Sequence, residues 1–71
     1  MGTTTTTTWQ VVGMTCGHCV SAVREELTAL DGVESVDVVL ESGTVTVVSD
    51  GPLERPAVAA AVEEAGYALA D

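Results

Sequence analysis

Two cysteines stand three positions apart in Cys16-Gly17-His18-Cys19, and the remaining 67 of the 71 residues contain no other cysteine. At this spacing two sulfurs can converge on one ion or on each other, so the pair carries either metal chemistry or dithiol redox chemistry. The segment lies where a loop runs into a helix, with Cys16 expected in the loop and Cys19 in the first helical turn. Unpaired N–H groups and the positive end of the helix dipole favour thiolate over thiol there. Thiolate is the form that binds metal. Two soft anionic sulfurs with no further cysteine nearby suit Cu(I), whereas a structural zinc site takes about four ligands. A redox pair and two incidental buried cysteines are the competing readings. A thioredoxin-like redox motif sits in a longer βαβ context than this chain can supply.

These residues need elements to hold them. Trp9 and Val11 alternate with Gln10 and Val12 in a strand expected over Thr7 to Val12, and Gly13 to His18 breaks that alternation as a loop. Val20, Val23, Leu27 and Leu30 then recur at helical spacing and predict an inward stripe, stopped by Asp31-Gly32. Val36, Val38 and Leu40 mark a second strand over Glu34 to Leu40. Glu41-Ser42-Gly43 is a hairpin loop, and Thr44 to Ser49 returns antiparallel with Val45 and Val47 inward. Pro56 fits the first turn of a second helix, whose stripe is Val58, Ala61, Val62 and Ala65. Gly66 ends that helix and Tyr67 to Leu69 is a short last strand. The order β-α-β-β-α-β predicts an α+β ferredoxin-like sandwich, two helices on one face of a four-stranded antiparallel sheet. Residues 1–6 are expected to form a flexible Thr-rich leader and residues 7–71 a single domain.

Composition excludes several functions. Eleven acidic residues stand against Arg24 and Arg55, with no lysine, for a net charge of −9. Nucleic acid and anionic lipid both need a cationic surface, so neither is an expected partner. A protein with a basic docking patch fits the charge better. No apolar run approaches the roughly 18 residues of a membrane span, and no secretory signal precedes the first strand, so a cytoplasmic protein is expected. Met1-Gly2 with Thr6 satisfies the loose myristoylation pattern, which a threonine run meets by accident. No acid–base pair, nucleophile triad or phosphate loop is present, so the chain is not expected to be an enzyme. With Met1 at one end and Asp71 at the other, it reads as a small protein of its own.

The stretch Gly13-Met14-Thr15-Cys16-Gly17-His18-Cys19, with Gly66-Tyr67 further on, resembles the heavy-metal-associated domain family, in particular its free-standing bacterial copper chaperones. The resemblance runs over essentially the whole chain after the threonine leader. It implies a ferredoxin-like fold and near-linear Cu(I) coordination by Cys16 and Cys19 at an exposed loop. It also implies transfer to the metal-binding domains of a copper-exporting P-type ATPase, with a copper-responsive regulator as a further recipient or competitor. By the same resemblance Met14 tucks under the loop as a support, and Tyr67 approaches the loop. A tyrosine hydroxyl there can donate to a cysteine sulfur, and a plain edge-strand aromatic is the equal alternative. His18 is implied to tune the thiolates or to join copper-bridged dimers of an otherwise monomeric chain, against the simpler expectation of a solvent-facing side chain. Trp9 is expected to pack. Carriers of zinc, cadmium or mercury remain alternatives to a copper carrier.

Overall fold

In a computed structural model of the chain the described residues are 4–15 and 17–70. The elements are β1 (Thr5–Val12), α1 (Gly17–Thr28), β2 (Val33–Val39), β3 (Thr44–Ser49), α2 (Arg55–Glu64) and β4 (Ala68–Leu69). Side chains alternate across a strand, and β1 shows this plainly. Thr5, Thr7, Trp9 and Val11 turn toward the helices, while Thr6, Thr8, Gln10 and Val12 stay exposed.

The sheet order is β2-β3-β1-β4 with every pairing antiparallel. Register carries the inward set across the strands: Val36 faces Val47, Val47 faces Thr7, and Val45 lies between Val38 and Trp9. Pairing of Thr5 with Ser49 and of Thr6 with Val48 starts β1 two residues before the expected Thr7. Threonine is β-branched and suits a pleated surface, so the low-complexity run supplies a strand wherever a partner lies beside it. Residues 1–3 of the expected leader lie outside the described residues.

Both helices cover one face. Val23, Leu27, Val58 and Val62 meet Val45 and Val47 in a core where each of these six side chains is fully buried. Removing a Val or Leu from water in this way contributes about 1.5–3 kcal/mol per side chain. Trp9, Met14, Leu30 and Tyr67 pack against this core from its margins. Trp9 is thus the packing residue it was expected to be, and its indole N–H donates to Thr7 Oγ1 at 2.9 Å.

The α1 stripe differs from expectation by one position. Cys19, Val23 and Leu27 are the buried residues of the helix, and Val20 is half-buried. Hydrophobicity alone favours valine over cysteine, yet positions 19, 23 and 27 lie four apart and stack on one face. A thiol packs as a small apolar group, so Cys19 takes the inward place.

The end of α2 is set by Gly66, whose φ of +96° suits glycine. Tyr67 N–H donates to Val62 O at 3.0 Å and Gly66 N–H to Glu63 O at 2.9 Å. This paired Schellman arrangement turns the chain sharply into β4.

Candidate metal site

The loop between β1 and α1 begins at Gly13, where φ is +96°. Glycine is required there for two reasons. An L side chain avoids this backbone conformation, and a β-carbon would stand 3.3 Å from Cδ1 of Tyr67. The Tyr67 ring therefore closes over the start of the loop, aimed there by the Schellman turn at Gly66. Met14, the next residue, is half-buried and packs against the core.

Thr15 is exposed, and its main chain reaches forward to the helix. Its backbone N–H donates to Cys19 Sγ at 3.5 Å, and its hydroxyl lies 3.9 Å from the same sulfur. Cys19 is the third residue of α1 and only 6% exposed. Its sulfur thus faces the loop from the helix side, in the first turn, where no acidic residue opposes a negative charge. A sulfur that accepts a backbone N–H at a helix N-terminus is placed to carry charge, which is what a metal ligand requires.

The structure brings Gly13 against Tyr67 and Thr15 against Cys19, with Met14 packed on the core between them in the chain. His18 is exposed, on the solvent side of the first turn. Cys16, the second expected ligand, lies outside the described residues. Among the described residues no group of three or more His, Cys, Asp or Glu side chains converges as a metal site. Sequence reasoning did not single out Thr15. The contact spans four residues, one more than the capping-box spacing, so no sequence signal marked it. The contact of Gly13 with Tyr67 joins residues 54 apart and had no local signal.

Residues 8–68 match the heavy-metal-associated domain. The chain belongs to the heavy-metal-associated domain family. Within that family it is similar to a protein named copper chaperone CopZ from Staphylococcus saprophyticus, with 48% identity over 63 residues, 87% of this chain and 93% of that one. Its structure is similar to that of a CopZ metallochaperone, with a TM-score of 0.83 and 40% identity over 93% of this chain and all of the other. It is also similar to a copper binding domain from a P-type ATPase, with a TM-score of 0.82 and 27% identity over 92% of this chain and 89% of that one. The four-stranded antiparallel sheet carrying two helices is the ferredoxin-like fold of these heavy-metal-associated domains, as the element order led us to expect.

Proposed function

We propose that this protein is a cytosolic copper chaperone that binds Cu(I) between the thiolates of Cys16 and Cys19 and passes it to a metal-binding domain of a copper-exporting P-type ATPase. The observation that carries the reading is the position of Cys19, in the first turn of a heavy-metal-associated domain with Thr15 N–H on its sulfur. Similarity to a named copper chaperone at 48% identity supports copper as the cargo. Two soft sulfurs select Cu(I) over the harder divalent ions.

Release follows from low coordination. Two sulfurs leave the ion open to a third, so a recipient's thiolate adds to Cu(I) before Cys16 or Cys19 departs. One Cu–S bond forms as one breaks, the ion stays monovalent, and it is never free in solution. Thr15 supports Cys19 through each step by keeping a donor on its sulfur. Tyr67 and Met14 hold the loop, and the Tyr67 hydroxyl is a further donor for the sulfurs. His18 tunes the thiolates from the solvent side. The recipient side is supported by the similar fold of a P-type ATPase copper binding domain. Competition by a copper-responsive regulator and bridging of two copies by copper belong to the same proposal.

The test is an anaerobic titration of the reduced protein with Cu(I) against a chromogenic Cu(I) chelator. Zn(II) and the Cys16→Ser, Cys19→Ser double variant are run in parallel. Tight Cu(I) binding, weak Zn(II) binding and loss of both in the variant are expected, with gel filtration of the loaded protein reading its oligomeric state. Failure to compete with the chelator would overturn the copper reading in favour of a redox dithiol, and preference for another thiophilic ion would replace the cargo.

A further inference from the structure

The strand that leads into the metal loop changes its support at one residue. β1 pairs with β3 from Thr5 through Gln10, and with β4 at Val11 and Val12. Gln10 is bonded on both sides of this change. Its Nε2 donates to the carbonyl oxygen of Ser42 at the hairpin tip, and its Oε1 accepts from the Thr44 hydroxyl at 3.4 Å. That hydroxyl accepts in turn from Ser42 Oγ at 2.9 Å, and Ser42 Oγ accepts from Thr44 N–H at 3.3 Å. On the other flank the main-chain oxygen of Gln10 accepts from Ala70 N–H at 2.7 Å.

One residue further on, Val11 N–H donates to Gly43 O at 2.8 Å. Gly43 has φ +74°, and a β-carbon there would overlap the Val11 carbonyl oxygen. The hairpin tip is thus pressed against the end of β1, and the Gln10 side chain is the polar clasp that keeps it there. Gly13 follows three residues later, about 10 Å along an extended strand. Between Gln10 and Thr15 the chain has fixed points at Gly43, at Tyr67 and in the core through Met14.

We propose that Gln10 is a positioning residue of the metal loop, which by clasping the β2–β3 hairpin to the end of β1 holds Thr15 N–H on the Cys19 sulfur and slows escape of the metal. The inference rests on the metal-carrying reading above. Its physical basis is local opening: when the clasp breaks, the end of β1 keeps only the Val11–Gly43 main-chain bond to the hairpin, that bond opens more often, and the loop beyond samples geometries in which the Cys19 donor is lost.

The test uses the intact chain in four forms: wild type, Gln10→Ala, Thr44→Val and Ser49→Ala. Ser49 is fully buried and its hydroxyl donates to Gly51 O at 2.6 Å, so its variant loses stability at the pole of the sheet away from the loop. Two readouts are taken. The first is the rate at which a strong chelator strips Cu(I) from the loaded protein, and the second is amide exchange of the metal-free protein at Val11 to Thr15. Gln10→Ala is expected to raise both by about threefold to tenfold, the worth of one or two hydrogen bonds, and Thr44→Val to raise both by less. Ser49→Ala should lower the melting temperature and leave both rates near wild type. Wild-type rates in Gln10→Ala, or an equal acceleration in Ser49→Ala, would overturn the proposal. If the wild type binds no Cu(I), the carrier reading fails, and amide exchange alone then decides whether Gln10 positions the loop.

Discussion

The ring of Tyr67 lies against Gly13, with Cδ1 3.3 Å from where a β-carbon on that glycine would stand. The contact couples the two parts of the fold that meet at the β1–α1 loop. Tyr67 is delivered by the Schellman turn closing α2, and Gly13 is the first residue after β1. Loop position therefore depends on a helix cap that shares no sequence neighbourhood with it.

Substitution at either glycine should show this coupling. Gly13→Ala meets both the positive φ and the ring, and is expected to cost about 1–3 kcal/mol. Gly66→Ala meets only the backbone term and should cost about 1–2 kcal/mol. Urea unfolding of the metal-free proteins measures both. In Gly66→Ala the ring resonances of Tyr67 and the amides of Gly13 and Met14 should shift together, and shifts confined to residues near position 66 would contradict the coupling.

Leu27 is fully buried at the centre of the core, so Leu27→Ala should destabilise the metal-free protein by about 2–5 kcal/mol. A domain of this size has only about 4–10 kcal/mol in hand, which leaves the variant close to its unfolding threshold. A ligand that binds the folded state alone adds stability by mass action. Cu(I) is therefore expected to raise the melting temperature of Leu27→Ala, and the Cys16→Ser, Cys19→Ser background should abolish that rise. Differential scanning calorimetry under anaerobic conditions reads both.

Eleven acidic side chains against two arginines leave the folded chain repelling itself. Raising sodium chloride from about 10 mM to 0.5 M shortens the screening length from about 30 Å to a few ångströms. The melting temperature should rise by a few degrees, about 0.5–1 kcal/mol for a domain of this size. A flat or falling profile would mean that favourable charge pairs offset the repulsion.

Gly43→Ala should be more costly than an ordinary hairpin substitution. The new β-carbon would strike the Val11 carbonyl oxygen at a backbone φ of +74°. A loss of about 2–3 kcal/mol is expected in chemical unfolding, against a few tenths for Glu41→Ala on the exposed side of the same turn.

Much of this fold was legible from local pattern. Thr44–Ser49 appears as read, because alternation between two turn signals leaves one register for an inward Val45 and Val47. The second strand is displaced by one residue, to Val33–Val39, since Leu40 enters the hairpin turn at 36% exposure. The threonines at 5 and 6 read as a leader because composition marks low complexity and cannot register that Val48 and Ser49 lie opposite them. Cys19 read as a metal ligand in the first helical turn and not as a core residue, because a hydrophobic stripe is counted from valines and leucines. Only packing against the sheet reveals which face of a turn is turned inward.

Residue type and spacing were enough for the frame: two cysteines three positions apart, the element order, the acidic balance and the aliphatic core. Each follows from residue type and short-range spacing, where period and turn residues act within a few positions. Tertiary structure alone decided that Tyr67 covers Gly13, that Thr15 holds the Cys19 sulfur and that Gln10 ties the hairpin to the end of β1. Two of these contacts join residues more than 30 positions apart, and the third depends on the turn of a loop between two elements. Such contacts form only once the sheet has brought the β1 end, the hairpin tip and the α2 cap to one end of its strands.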